Sequence, residues 1–278
     1  MRQSQTGGTP LPKKIPAQNT EYLRLCKAEA ALLQRRQKKN APLLSQLLSG
    51  RVPDKLQQTL RSAFFHAFES VFSHGSTVID KTVSADERGK TYEIRRYSAQ
   101  LRPDRRNLRA FSRDAGSAQT KNLLLSGTFG VGLGLLGIGL PDIPVFAALL
   151  LKNVYETALS FGFDYKTPGE QYFILLLLQS ALSAGEDAVH LERTVDAWIA
   201  AHRKIPAGVQ TDAEFRRQMR ASADALADAL LYMKFVQGIP IVGAVGGISD
   251  VVCMQQISEY TRLKYQRRRL ETGFTANK

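Results

Sequence analysis

The chain has 278 residues, of which 44% are hydrophobic and 23% are charged, and it contains two cysteines. This composition excludes an intrinsically disordered chain, a disulfide-rich scaffold and a four-cysteine zinc site. The formal net charge is +13, but residues 1–120 hold 22 basic and 10 acidic residues, whereas residues 121–278 hold 16 and 15. A local basic surplus of this kind indicates an anionic partner, either nucleic acid or the acidic leaflet of a membrane.

The first residues differ in character from the rest of the chain. Residues 1–18 are polar and rich in glycine, proline and threonine, with no apolar run after Lys13 and Lys14. A secretory signal peptide requires such a run, so we expect no export signal, and the few cysteines favour a reducing compartment. We interpret residues 1–18 as a disordered tail and residues 19–272 as one all-helical domain.

Helical spacing of apolar residues begins after this tail. One helix is predicted from Thr20 and another from Pro53. The second has an aromatic stripe that is typical of core packing rather than of base stacking, formed by Phe64, Phe68 and Phe72. The polar residues 84–100 predict a loop or a short connector, and a basic helix is predicted from Pro103 onward.

Seven arginines lie in and beside this basic helix. They are Arg95, Arg96, Arg102, Arg105, Arg106, Arg109 and Arg113. Because a long apolar segment follows them, we interpret them as positive-inside charge or as contacts to anionic lipid head groups, with arginines 267–269 as additional candidates. A solvated helix face is one alternative. Nucleic acid is another, but no zinc-finger or RNA-recognition pattern and no clear helix-turn-helix supports it.

An uncharged segment follows, from Asn122 to Pro141, and it contains six glycines among twenty residues. Its length is at the edge of what spans a membrane. Glycine costs roughly 1 kcal/mol in an exposed helix, so six glycines indicate a structural reason. The reason is either close packing through the row Ser126, Gly130 and Gly134 or a bend, in a loop or a re-entrant hairpin. Nucleotide binding is disfavoured because the ending of a phosphate-binding loop is missing.

A second, weaker copy of this pattern lies near the C-terminus. In each copy an apolar stretch of small residues precedes an aspartate, Asp142 or Asp250, and then a helix with a late tyrosine, Tyr155 or Tyr260. This order predicts two glycine-rich apolar helical hairpins arranged as a pseudo-repeat. The candidate residues of the interface between the copies are Gly130, Gly134, Asp142, Gly243, Gly247 and Asp250.

Further helices are predicted between the two copies. Thr167-Pro168-Gly169-Glu170 predicts a helix start with a capping box. The helix that follows is apolar nearly all round but short for a membrane span, which favours a core helix. Thr211 is the predicted cap of a later, longer helix. The elements together predict an all-α, multi-helix single domain.

Enzyme signatures are missing from the sequence, and His190, near Glu186 and Asp187, is the best candidate for metal or proton chemistry. A histidine on a polar helix face is the simpler interpretation. We therefore expect no catalytic residue, no cofactor and no metal. The enzymatic alternative is a soluble hydrolase-like protein with Asp142 and Asp250 in a cleft between the repeats, although capping is the simpler role for each aspartate.

Two segments resemble a known family. The run GIGLPDIPVFAALLLKNVYETALSFGFDYKTPGEQYFILLL, residues 137–177, resembles the signature region of the EcsC protein family. GIPIVGAVGGISD, residues 238–250, is similar to the C-terminal glycine-rich element of that family, and the resemblance extends over residues 60–270. It implies a bacterial, mainly helical protein whose founding member is encoded beside the subunits of an ABC transporter. It supplies no catalytic residue.

These observations predict a non-catalytic helical protein at the inner face of the cell membrane, peripheral or partly inserted. The expected partners are an anionic membrane surface and, from the resemblance, a membrane transporter subunit, and no nucleic acid. Such a protein would be an accessory to an ABC transporter or to another membrane or secretion process. A soluble adaptor whose basic helix holds an acidic protein is a further alternative.

Overall fold

The structure is a computed structural model that describes residues 17–38, 53–74, 85–134, 142–203, 210–236 and 246–273. Side chains are described in these ranges except at residues 74, 121–134, 142, 234–236 and 246–250. Every regular element of the described ranges is an α-helix, which confirms the all-α prediction. The helices are α1 Ala17–Gln37, α2 Asp54–His74, α3 Ala85–Leu101, α4 Arg105–Gly134, α5 Asp142–Ser160, α6 Pro168–Leu182, α7 Gly185–Ala201, α8 Asp212–Val236 and α9 Gly246–Thr272.

The apolar helix α6 lies in the core, as its composition predicts. Leu175, Leu176 and Leu177 are consecutive and at most 2% exposed, so all sides of this helix are covered. It contacts α7, α8 and α9, while α5 packs against α2, α3, α4 and α9. In the described part of the chain, no helix combines the length and the hydropathy that a membrane span needs.

The aromatic stripe of α2 packs into the core and confirms the sequence interpretation. Phe64 and Phe68 are buried. The ring of Phe64 meets that of Phe146 on α5 edge to face at 6.3 Å, and Phe72 meets Phe215 on α8 at 5.5 Å. Edge-to-face pairs of this kind add to the gain from burial and fix α2 against both neighbours.

The prediction of a loop or short connector at residues 84–100 is wrong, because residues 85–100 belong to α3. The helix has Asp86 and Glu87 in its first turn, where negative charge is favourable. Its apolar contacts are few: Ala99 is fully buried, and the Tyr92 ring packs on Phe111 with 5.8 Å between centroids. Because so few of its residues face the core, the apolar spacing of α3 does not by itself indicate a stable helix, and its contacts with neighbouring helices stabilise it.

The turn after α5 fixes the position of α3. Gly162 has φ +81°, a left-handed conformation that glycine adopts without strain. A Cβ atom at this position would overlap the ring of Tyr92. The missing side chain of Gly162 therefore allows the close approach of Tyr92, which holds α3 against the end of α5.

The start of α1 lies three residues before the predicted cap, so Thr20 is inside the helix and does not cap it. Gln18 of the first turn donates a hydrogen bond to the carbonyl of Leu270 at 3.2 Å. The start of α1 is thus held by the end of α9, a contact that local sequence cannot show. The predicted start at Thr211 is confirmed, since its hydroxyl accepts from the backbone N–H of Glu214 at 3.3 Å.

Candidate functional site

The turn between α3 and α4 carries an exposed group of positive charges. We call Arg102, Arg105 and Arg106, all exposed, the basic corner. The turn itself is well tied, because the side-chain amide of Asn107 donates to the carbonyl of Arg102 at 2.9 Å. The carboxylate of Asp104 accepts from the backbone N–H of Asn107 at 2.8 Å, which caps α4.

A row of exposed apolar side chains leads along α3 to this corner. Ile94, Tyr97 and Leu101 are 65%, 63% and 64% exposed, and we call them the apolar row. Their spacing of three and four residues places them on one face of the helix. Leu101 directly precedes Arg102, so the apolar row ends where the basic corner begins.

A cleft of about 480 Å³ lies between α1, α4 and α9. Five arginines and two glutamates line it, a surplus of three positive charges, and we call it the arginine cleft. Its charged residues are Arg24, Arg35, Arg109, Arg113, Arg262, Glu21 and Glu259. The floor includes the buried side chains of Leu25 and Leu263.

The first glutamate of the arginine cleft is neutralised within the protein. Glu21 is 1% exposed and accepts hydrogen bonds from the guanidinium of Arg109, the shorter at 2.6 Å, while Arg24 lies at 3.5 Å. Burial alone would raise the pKa of Glu21, but Arg109 and Arg24 outweigh it and hold the pKa below its ordinary 4.5. Glu21 is therefore ionised and engaged at neutral pH.

Two arginines of the cleft have weaker partners. Arg262 donates to the hydroxyl of Ser112 at 3.1 Å, and Arg113 donates to the backbone carbonyl of Arg106 at 3.4 Å. Neither forms an ion pair with an acidic side chain of the described residues. Burial lowers the pKa of Arg262; the negative charge of Glu259 opposes this effect, and the like charge of Arg24 adds to it. An added negative charge in the cleft would reverse this effect.

Beside the cleft, α1, α7 and α9 share a buried ion cluster, which we define as Glu29, Glu192, Asp196, Lys264 and Arg267. Lys264 is completely buried, with its Nζ 3.1 Å from Glu29, 2.5 Å from Glu192 and 2.8 Å from Asp196. Arg267 bridges Glu29 at 3.2 Å and Asp196 at 3.1 Å. Burial alone would lower the pKa of Lys264, but the surrounding negative charges raise it.

The C-terminal end of α1 is attached to the same cluster. Arg36 is 5% exposed and contacts Glu192 at 3.2 Å and the carbonyl of Ser180. Its guanidinium lies over the ring of Tyr260, 4.7 Å from the centroid, and the Tyr260 hydroxyl donates to Glu192 at 2.9 Å. Polar contacts thus dominate the docking of α1, because its only buried apolar side chain is Leu25.

The predicted capping box at the start of α6 is half confirmed. The hydroxyl of Thr167 accepts from the backbone N–H of Glu170 at 3.4 Å, as a cap should. The carboxylate of Glu170, however, accepts two hydrogen bonds from Arg268, at 2.9 and 2.6 Å, and one from the hydroxyl of Tyr265 at 2.7 Å. The guanidinium also stacks on Phe163, 4.0 Å from the ring centroid. The Glu170 carboxylate therefore pairs with the buried guanidinium of Arg268 instead of accepting from the backbone N–H of Thr167.

Comparison with known proteins identifies the helical domain. The model of the EcsC protein family matches residues 20–270. The chain belongs to the EcsC protein family. Protein EcsC of Bacillus subtilis (strain 168) is 28% identical over 134 residues, which cover 48% of this chain and 52% of that protein. The chain thus spans about half the length of the curated relative it matches, and no solved structure matches it.

In this EcsC domain, the seven arginines predicted to contact lipid fall into two groups. Arg95 pairs with Asp114 at 3.0 Å, and Arg96 hydrogen-bonds to Glu93 at 2.9 Å. Arg109 is engaged by Glu21, as described above. The four exposed members are Arg102, Arg105, Arg106 and Arg113. The structure brings three of these together at the basic corner and places Arg113 in the arginine cleft.

The arginines at 267–269, additional candidates for lipid contact, point into the protein, so that prediction is wrong. Arg268 and Arg269 are 8% and 9% exposed, and Arg267 belongs to the buried ion cluster. The guanidinium of Arg269 lies 5.1 Å from the centroid of the Tyr92 ring. Acidic and aromatic side chains from other helices of the EcsC domain surround this run and take it away from solvent.

The interface candidates of the glycine-rich pseudo-repeat are only partly within the described residues. Gly130 and Gly134 lie in the last turns of α4, and Gly247 is the second residue of α9, whereas Gly243 lies outside the described ranges. Helix α4 extends into the first glycine-rich stretch as far as Gly134 and packs against α5. The pairing of the two copies stays a prediction.

The two aspartates occupy different helical positions. Asp142 is the first residue of α5, whereas Asp250 lies four residues inside α9, beyond the position of a cap. Within the described part of this EcsC domain, no group of three histidine, cysteine or acidic side chains could hold a metal ion. His190, the strongest single candidate, is exposed on α7.

Sequence reasoning missed the buried ion cluster and the arginine cleft. A usable signal was present in the spacing: Glu192 and Asp196 are four apart on α7, and Tyr260, Lys264 and Arg268 are four apart on α9. Charges that repeat at helical spacing on several helices can face one another as well as solvent. Whether such charges face one another or solvent depends on how the helices pack in this EcsC domain.

Proposed function

We propose that this EcsC-family protein is a peripheral membrane protein that docks on an anionic lipid surface through the basic corner and the apolar row. The observation that carries the proposal is the exposure of Ile94, Tyr97 and Leu101 beside three exposed arginines. Soluble proteins rarely expose large apolar side chains in a continuous row, and such a row with a charged rim marks an interaction surface.

The chemistry of this surface favours lipid over a protein partner. Interfacial helices combine an apolar face with arginines or lysines, and they bury the apolar face about 5–10 Å into the boundary of head groups and acyl chains. Tyrosine, with its polar tip, suits this boundary. Each arginine near an anionic leaflet contributes about 1 kcal/mol to the free energy of membrane binding. The charge of the basic corner therefore adds to what the burial of the apolar row contributes.

This docking needs no helix that crosses the bilayer. The inner leaflet of the cell membrane is the anionic surface that fits a domain of this charge. We extend the proposal to an accessory role beside a membrane transporter subunit, supported by the resemblance of residues 137–177 and 238–250 to the EcsC family. A partner of that kind would meet the domain at the same leaflet, and copurification from detergent-solubilised membranes tests it.

Vesicle co-sedimentation tests the lipid docking. The full chain is mixed with vesicles of phosphatidylcholine alone or of phosphatidylcholine with phosphatidylglycerol, at low and at high salt. We expect the protein to pellet only with the anionic vesicles and to be retained partly at high salt, because the apolar row is then still inserted. The double variant Ile94→Ser/Leu101→Ser should weaken the partitioning by at least about tenfold, given roughly 1.5 kcal/mol or more per buried leucine or isoleucine.

The matched control is Leu23→Ser, an exposed leucine on α1 with 54% exposure and no part in the apolar row. It should partition like the unchanged protein. Recovery of the unchanged protein only in the supernatant contradicts the proposal. Equal losses in the Leu23 variant and the α3 double variant contradict the assignment to this surface.

A further inference from the structure

We infer that the arginine cleft is a binding site for a phosphate group, carried either by a small soluble molecule or by a lipid head group. This site is distinct from the basic corner: it lies between α1, α4 and α9 and is lined by different arginines. The inference therefore does not depend on the membrane docking proposed above.

The charge of the cleft is the first argument. Five arginines converge on it, and one of its two glutamates is already engaged by Arg109 and Arg24. The other, Glu259, lies 4.0 Å from Arg35, a distance too long for a strong hydrogen bond. Positive charge in excess of its internal partners remains, and a phosphomonoester, which carries between −1.5 and −2 charges at neutral pH, would balance it.

The free donors of the cleft are the second argument. Arg262 is half-buried and donates to the neutral hydroxyl of Ser112, so its fork retains N–H groups for another acceptor. Arg113 is exposed and contacts a backbone carbonyl of its own helix. Ser112 accepts from Arg262 and keeps its own hydrogen to donate. Guanidinium forks bind phosphate oxygens in pairs, which makes arginine the preferred residue for such a group.

The shape of the cleft is the third argument. Leu25 and Leu263 form a buried apolar floor, and charge-assisted hydrogen bonds are stronger beside such a low-dielectric surface than in water. A volume of about 480 Å³ lies in the usual range of small-molecule sites and exceeds what one inorganic phosphate fills. The ligand should therefore carry a further group beyond its phosphate.

Isothermal titration calorimetry of the full chain with two soluble probes tests the inference. The probes are inorganic phosphate and dibutanoyl phosphatidic acid, which carries its phosphate as a monoester on a lipid backbone. The variants are Arg113→Gln and Arg262→Gln, with Arg217→Gln as the matched control, because Arg217 is exposed on α8 and does not line the cleft. Each cleft variant should weaken binding about tenfold, as expected for one charge-assisted hydrogen bond, and the control should not.

The outcomes separate the two sources of the phosphate. Tighter binding of phosphatidic acid than of inorganic phosphate supports a lipid head group, whereas equal binding supports a soluble phosphorylated molecule. No saturable binding of either probe at about 1 mM overturns the inference, as does an equal effect of all three variants. Arg113 is exposed, so its variant remains informative even where Arg262→Gln fails to fold. The Ile94→Ser/Leu101→Ser protein should bind both probes normally, which separates this site from the membrane surface.

Discussion

The basic corner between α3 and α4 and the last turns of α9 each carry three closely spaced arginines, yet their surroundings are opposite. Arg102, Arg105 and Arg106 are exposed, with one acidic neighbour, Asp104, in the same turn. Arg268 is 8% exposed and held by Glu170, which lies 98 residues away in the chain. Arginines thus face solvent in one region and stabilise the packing of helices in the other.

This difference lies in the packing of distant helices rather than in the arginines. The end of α9 lies against α1 and α6 and is joined to α7 by ion pairs. These three helices supply Glu29, Glu170, Glu192 and Asp196. The basic corner is a connection at the edge of the domain, and its nearest hydrogen bonds are local ones from Asn107. A cluster of arginines remains open to a ligand only where the carboxylates around it leave part of its positive charge uncompensated.

Removal of the central cation of the buried ion cluster should have the largest effect on stability. Lys264→Met leaves the carboxylates of Glu29, Glu192 and Asp196 without their shared partner in a buried position. Breaking a buried ion pair from one side costs about 3–5 kcal/mol, so we expect the free energy of unfolding to fall by about that amount. Urea denaturation followed by circular dichroism measures it.

The control for this change is Lys55→Met, since Lys55 is exposed on α2. It should stay within about 0.5 kcal/mol of the unchanged protein, as surface substitutions usually do. Equal stabilities of the Lys264 and Lys55 variants would contradict the view that the charges at the end of α9 hold the fold together.

A pH titration examines an intermediate case, the pair of Arg109 with Glu21. Arg109 belongs to the basic stretch but is engaged by a buried carboxylate, like the arginines of α9. Glu21→Gln should lower the free energy of unfolding by about 1–2 kcal/mol near pH 7, because the negative charge that Arg109 and Arg24 stabilise is lost, while the amide oxygen can still accept a hydrogen bond. Denaturation of both proteins between pH 7 and pH 3 measures the difference.

The direction of this pH effect follows from the lowered pKa of Glu21. A carboxylate whose pKa is lowered on folding stabilises the protein above its unfolded pKa, here the ordinary 4.5, and loses that contribution as the pH falls through the folded value. The gap between the two proteins should therefore be constant near neutrality and shrink below pH 4.5. A gap that widens toward acid pH would show that Glu21 is not stabilised by Arg109.

Much of the fold could be predicted from the sequence, because most helices show their apolar spacing locally. The core position of α6 and of the stripe with Phe64 and Phe68 follows from composition and periodicity alone. Helix α3 could not be found in this way, since its contacts rest on Ala99 and on Tyr92 against Gly162. Ile94, Tyr97 and Leu101 do have helical spacing, but they are only three apolar residues among polar ones, and they face outward rather than toward the core.

The candidate site was predictable in its charge but not in its geometry. The sequence alone identifies the basic stretch of residues 95–113, and the exposure of Arg102, Arg105 and Arg106 agrees with it. It could not show that Arg113 and Arg262, 149 positions apart, line one cleft. Nor could it separate Arg267–Arg269 from the exposed arginines, because most of the acidic and aromatic side chains that surround them come from other helices.

The smallest effect on stability is expected at the basic corner itself. The double variant Arg105→Gln/Arg106→Gln removes two exposed guanidinium groups for which the structure shows no ion pair with described residues. Its free energy of unfolding should stay within about 0.5 kcal/mol of the unchanged protein. Its affinity for anionic vesicles should fall, at about 1 kcal/mol per arginine, and should depend less steeply on salt. We expect this double variant to keep its stability and lose vesicle binding, whereas Lys264→Met should lose stability. That combination would distinguish an exposed binding surface from charges that the helices enclose. A loss of stability in the Arg105→Gln/Arg106→Gln variant as large as that in Lys264→Met would contradict this distinction.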